Sequence, residues 1–211
     1  MNINYLLLSL LFLAAIGKTY SQKAFEGEII YQNIFQSKNS TISSEQMRFL
    51  LGDEQTCFIK SGNYKSLTNG AGITVQLYIS ETNRLYNKTS RSDTLYWFDA
   101  NVQSDAIVSY ELIKNKEKIL GEDCDALTLK TQGGQTTYFY TSKYPVDFTK
   151  YQMHSYRNWN YYLAKAKSVP LKIVIDNEQF KMESIARKIE AKQLPDNFFA
   201  LSADIPIKKT K

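Results

Sequence analysis

The sequence predicts a mainly β protein: one strongly curved antiparallel sheet, an open half-barrel, with a helical insertion covering its concave face. Three observations carry this expectation. Short segments of alternating apolar and polar residues recur along the chain, compact turn-forming groups separate them, and one stretch, residues 146–167, changes period. A sheet of about ten or more antiparallel strands cannot stay flat, because accumulated twist makes it curl, split into two layers or close. A closed β-barrel and a β-sandwich are the alternatives.

Taken in order, the chain begins with an apolar run at residues 6–16, interrupted only by Ser9. That run is too short to span a bilayer and has the length of a signal-peptide core. Gly17 and Lys18 break it, and Thr19-Tyr20-Ser21 then sets small residues at the minus-three and minus-one positions of a cleavage site before Gln22. The expectation is a signal peptide at residues 1–21, followed by a single antiparallel β domain at residues 22–211. Export places that domain in the periplasm, against the outer membrane or outside the cell, with no transmembrane segment once the leader is gone.

The first strand is expected at residues 25–35, where Phe25, Gly27, Ile29, Tyr31 and Phe35 share one face and Glu26, Glu28 and Gln32 the other. Similar runs follow at 46–51, 56–60, 73–79, 84–87 and 94–99, separated by Gly52-Asp53, Ser61-Gly62-Asn63 and Asn69-Gly70-Ala71-Gly72. Short connections of this kind join antiparallel neighbours. Further strands are expected at 106–113, 124–130 and 136–141, with Gly133-Gly134 as a hairpin turn, and at 171–175 and 180–189 around Asp176-Asn177-Glu178. Between these groups, Tyr151, Tyr156, Trp159, Tyr162 and Leu163 recur at spacings near three and four, as on one face of a helix. Pro170 is expected to end that helix, since the residue before a proline is pushed out of the α region. Leu194-Pro195-Asp196-Asn197-Phe198-Phe199 reads as one turn with two apolar anchors that pins the C-terminus onto the sheet.

The formal net charge of +5 falls to +4 when Lys18 leaves with the leader, and Lys208, Lys209 and Lys211 supply three of the remaining charges. The body of the domain is close to neutral, and its Lys and Arg alternate with Asp and Glu. A nucleic-acid surface needs a basic stripe along one element, so no nucleic-acid partner is expected. The two cysteines, Cys57 and Cys124, can pair in an oxidising compartment, and closing that loop stabilises by about 4 kcal/mol in the chain-entropy model. The alternative is two separate small core residues, since Cys buries as readily as Val or Ala.

No constellation points to catalysis. His154 is the only histidine, which excludes metal sites built on several imidazoles; no metal and no cofactor is expected. Met153-His154-Ser155 has no nucleophile-elbow glycine near it, and such a histidine is most simply a surface residue. Glu26 with Glu28, and Glu122-Asp123 with Asp125, are what solvated strand faces show, and the second group lacks the glycine and ligand spacing of a calcium loop. Asn69-Gly70-Ala71-Gly72 lacks the lysine and following helix of a phosphate loop.

The unusual feature is aromatic. Tyr138, Tyr140, Phe148, Tyr151, Tyr156, Trp159 and Tyr162 fall close together and are the candidate ligand-binding residues of a lipophilic or sugar-binding groove. Packing between helix and sheet, with Tyr hydroxyls reaching water, explains the same cluster without a ligand.

Phe25-Glu26-Gly27-Glu28-Ile29-Ile30-Tyr31, Lys118-Ile119-Leu120-Gly121-Glu122-Asp123-Cys124, Pro170-Leu171-Lys172-Ile173, Ala186-Arg187-Lys188-Ile189 and the Leu194–Phe199 stretch together resemble an exported Bacteroidetes domain family of unknown function. Those proteins are in turn similar to the outer-membrane lipoprotein carrier fold. A related family carries a Gly-Leu-Pro-Gly-Leu-Ile signature, where this chain has Ser168-Val169-Pro170-Leu171. The resemblance implies an envelope location and a lipophilic groove, and carries over no catalytic residue. The expected function is non-enzymatic: binding of a lipid or a lipoprotein acyl chain, or else a structural or interaction module that meets other envelope proteins.

Overall fold

The computed structural model describes residues 23–102 and 105–210; the signal peptide and cleavage site expected from the sequence lie outside them. The described chain forms one curved, open sheet of 12 strands in the order β12-β6-β5-β4-β3-β2-β1-β11-β10-β9-β8-β7. It is neither a closed barrel nor a sandwich. β1 (Gly27–Ser37) is the central strand. On one side lies the meander β2 (Glu54–Lys60), β3 (Asn63–Thr68), β4 (Ile73–Ile79), β5 (Arg84–Thr89) and β6 (Leu95–Asp99). On the other lie β11 (Phe180–Ala191), β10 (Ser168–Asn177), β9 (Gly134–Pro145), β8 (Glu122–Thr131) and β7 (Ile107–Ile119). All neighbours are antiparallel except β12 (Ile207–Lys209), which pairs in parallel with β6.

The turns follow from backbone chemistry. Ser61-Gly62 between β2 and β3, and Leu120-Gly121 between β7 and β8, are two-residue loops in which both residues have positive φ. That geometry matches the right-handed twist of the flanking strands. Asn177 Oδ1 accepts from the backbone N–H of Gln179 and Phe180, each at 2.9 Å, and shapes the β10–β11 hairpin.

Four expectations need correction. Residues 46–51 are not a strand but part of helix α1 (Ser44–Leu51), because Ser43 and Gln46 form a reciprocal capping box at its start. Only Met47 of that helix is buried. The strand β3 went unanticipated because it carries few apolar residues. The insertion is not one helix: it forms 3-10 turns at Phe148–Tyr151 and Tyr156–Asn158, and then helix α2 (Trp159–Ala166). Arg157 and Asn158, at φ 55° and 59°, break it, and Lys167, at φ 51°, ends it; Pro170 lies within β10 and is not the stop. Last, Cys57 and Cys124 are both free. They stand on β2 and β8 and pack, unbridged, as separate small side chains of one apolar cluster, Cys124 buried and Cys57 partly so.

The register assigns residues to faces. Across β2 to β6, Ile59, Tyr64, Tyr78, Leu85 and Phe98 stand opposite one another in one row. The reverse face carries Phe58, Lys65, Leu77, Tyr86 and Trp97. Leu194, Phe198 and Phe199 pack against that reverse row as the turn was expected to. The first row faces the concave side, where the insertion lies.

Candidate functional site

The concave face is a trough with a polar outer part and an aromatic inner end. Alternation sets both. Two residues along from the apolar row, and so on the same face, runs a second inward row, Cys57, Ser66, Gln76 and Asn87. Gln55 Nε2 donates to Ser66 Oγ at 2.6 Å and Gln76 Nε2 to Asn87 Oδ1 at 3.1 Å, so this wall is wettable. From the other half, Asn33, Ser184, Ile173, Tyr138 and Leu127 form one continuous row through β1, β11, β10, β9 and β8.

The insertion closes the inner end. Tyr64 and Tyr78 stack at 5.3 Å between ring centroids, Tyr151 stacks on Tyr78 at 5.8 Å, and the His154 ring sits 4.3 Å from Tyr78. Trp159 meets Tyr138 edge-on at 6.1 Å, while Tyr156 meets Phe98 at 5.2 Å. Beneath this roof remains a cavity of about 190 Å³, lined among others by Tyr31, Tyr64, Tyr138, Tyr151, His154 and Trp159. It runs on through Gln55, Ser66, Gln76 and Met182 into an outer trough of about 420 Å³.

The titratable groups buried at the inner end are uncharged at neutral pH. His154 is 1% exposed, and burial pushes its pKa from 6.5 down to about 4. Its Nε2 lies 2.9 Å from Tyr64 Oη. The expectation of a surface histidine is therefore wrong: the 151–154 turn folds its ring inward between two tyrosines. Burial also raises the hydroxyls of Tyr31, Tyr64, Tyr138 and Tyr151, and lifts the Cys57 thiol to about 12. Among the cavity's described lining residues Arg157 alone carries a formal charge, and it is exposed.

The structure places the seven aromatic candidates in three settings. Tyr138, Tyr151, Tyr156 and Trp159 line the inner cavity. Tyr140 and Tyr162 are core residues instead: Tyr162 is fully buried, stacks on Tyr138 at 4.0 Å, and donates from its hydroxyl to Ser168 O at 2.9 Å. Phe148 lies outside the trough, in a separate groove with Tyr161, beneath the Lys167 ammonium. Sequence reasoning missed Tyr64 and His154, which bring the first meander and the insertion into the same wall. His154 sits three residues after Tyr151, the spacing that marks the others, and this was the available signal.

No family model matches the chain, and no curated protein matches it. Among solved structures, that of PNGF-II is similar at 14% identity and a TM-score of 0.48, over 89% of this chain and 31% of the other, so the chain spans about a third of that structure's length. An uncharacterized conserved protein from Thermus thermophilus is similar at 8% identity and a TM-score of 0.46, over 88% of this chain and 91% of the other.

Proposed function

We propose that this chain is a non-enzymatic, exported cell-envelope protein that holds an apolar chain, of a lipid or a lipoprotein acyl group, in its trough. One observation carries the reading: an aromatic-walled cavity opens along the concave face into a wettable trough, so an amphiphile can lie with its apolar end inward. Magnitude limits what enters. A cavity of about 150 Å³ takes one benzene, so the inner end accepts the tip of a chain, and the remainder lies in the outer trough. The sequence resemblance to exported envelope domains supports the location.

Native mass spectrometry of protein purified from its own envelope tests this, followed by addition of a fatty acid and a phospholipid. Bound ligand, lost when Met182→Trp fills the passage between inner and outer parts, is expected. A ligand-free mass with no uptake would overturn the reading.

A second reading, a protein-interaction module, is favoured by β7. This 13-residue strand ends the sheet, and Val108, Tyr110 and Leu112 are 67%, 49% and 44% exposed on one of its faces. Lysines and a register shift guard its second half, and the stretch from Ser109 to Ile113 is the part of the edge open to strand addition.

A further inference from the structure

Two residues that line the inner cavity each bury a ring nitrogen that the fold leaves without a partner. Nδ1 of His154 and Nε1 of Trp159 are buried, and neither meets a hydrogen-bond partner. Both side chains line the cavity, and both rings abut Tyr64, at centroid distances of 5.8 and 6.5 Å. Buried polar atoms are almost always paired, so two orphans on residues of one cavity lining are a feature to be explained; neither nitrogen is accessible as the rings stand, and a ligand in the cavity would engage them through a small turn of each ring. Neither is needed to hold the fold. Tyr64 already engages the imidazole at Nε2, and Trp159 packs through its ring against Tyr138 and Tyr162.

The donor and acceptor rules narrow the ligand. An indole N–H can only donate. Nδ1 can do either, since the Tyr64 hydroxyl can donate to Nε2, leaving a proton on Nδ1, or accept from it, leaving Nδ1 bare. A carbonyl oxygen accepting from both rings fits, and so does a hydroxyl that accepts from the indole and donates to the imidazole. A carboxylate fits poorly, because Arg157, the one cation among the described residues lining the cavity, is exposed, and a charge left unpaired against the buried aromatic wall is costly.

We propose that the inner end of the trough is a binding subsite for a neutral oxygen-bearing group, a hydroxyl or carbonyl carried on a ring or a short apolar segment, hydrogen-bonded by Trp159 and His154. This rests on the reading of the concave face as a ligand site and names the chemistry at its deep end. The volume of about 190 Å³ suits one ring or a few methylenes beside that oxygen.

Three ring probes of nearly equal size separate the possibilities: toluene, benzyl alcohol and benzoate, with tetramethylammonium as a cation that the aromatic wall alone could attract. Titrations of the full chain by calorimetry are read alongside ¹⁵N NMR. The assignment is direct, because the chain has one histidine and two tryptophans, Trp97 and Trp159. Expected is binding of benzyl alcohol with shifts of the Trp159 indole and His154 imidazole nitrogens that toluene does not produce. Trp159→Phe should reduce the preference for benzyl alcohol over toluene about tenfold, the worth of one good hydrogen bond. The NMR readout on the unaltered chain keeps the test independent of whether the variant folds. Equal treatment of toluene and benzyl alcohol, unmoved ring nitrogens, or tighter binding of either charged probe would overturn the subsite. If fatty acid is taken up and no ring probe binds, the subsite falls and the trough reading stands; if benzyl alcohol binds with the ring shifts and no fatty acid is taken up, the reverse holds.

Discussion

His154 makes a pH-dependent stability measurable at a single residue. Its ring is wedged between Tyr64 and Tyr78, and burial lowers its pKa from 6.5 to about 4 in the folded chain. The unfolded chain therefore binds a proton that the folded chain refuses throughout that interval, and stability falls as the pH falls from 6.5 towards 4. Above 6.5 the stabilisation is fully present; below 4 both states are protonated and no further loss accrues. At 1.36 kcal/mol per pH unit the whole interval is worth about 3 kcal/mol, and by pH 5 about 2 kcal/mol is already lost. Carboxylates held low by their partners, such as Glu183 beside Lys181 and Asp105 beside Thr131, also lose stabilisation on acidification. Urea unfolding of the wild type and His154→Phe across pH 4 to 7 removes that shared background by difference. The phenylalanine variant should lack the histidine's slope, and the imidazole proton shifts should titrate near pH 4. A midpoint near 6.5, or parallel stability curves for the two proteins, would refute the buried, neutral imidazole.

Three other predictions test the fold itself. Leu120 has φ 51° and is 43% exposed at the β7–β8 turn, so Leu120→Asn should stabilise by about 1 kcal/mol in urea unfolding, because Asn accepts the left-handed region and makes Asn-Gly with Gly121. Gly134 has φ 144°, and a Cβ there would lie 2.4 Å from the Asp176 backbone carbonyl oxygen; Gly134→Ala should destabilise by about 2 kcal/mol or more, read as a lowered thermal midpoint. With both thiols free and raised by burial, Cys57 to about 12 and Cys124 to about 11, the folded chain should react slowly with a thiol reagent. Two equivalents should react after unfolding without reductant, and fewer than two would indicate a bridge.

What could be read from the sequence depended on which wall of the trough a residue builds. β1 was legible because Ile29, Tyr31 and Phe35 recur on one face and are buried there, while Glu28, Gln32 and Gln36 mark the other. β3 was not: its inward residues are Tyr64 and Ser66 and its outward ones Lys65 and Leu67, so the wettable wall that suits a trough erases the contrast on which period-two reading depends. α1 was misread for a different reason. Its apolar Phe49, Leu50 and Leu51 are exposed, and the deciding signal was local, a serine three residues before a glutamine. The aromatic candidates divided for a third reason. Spacing alone cannot tell a ring facing a cavity, such as Trp159, from one stacked beneath it, such as Tyr162, three residues along the same short helix.

The same geometry says how a ligand would enter. Rings of the insertion meet Tyr64 and Tyr78 from the first meander and Tyr138 from the second, so the roof straps together two halves otherwise joined through β1. Lifting it would break contacts on both sides and expose fully buried Tyr162 and Leu163. The outer trough needs no such opening, because it already reaches the cavity past Gln55, Gln76 and Met182. Arg157 stands where the two parts meet, held beside Asn158 in a left-handed conformation that costs roughly 1–2 kcal/mol for each residue. That conformation turns the chain sharply between Tyr156 and Trp159, both of which face the cavity, and Asn158 Nδ2 anchors it by donating to Asp105 O at 3.0 Å. For the apolar ligand proposed above, entry along the trough, tip first and past Arg157, would thus require the least disruption of the fold, and it would bring the tip into the cavity lined by His154 and Trp159.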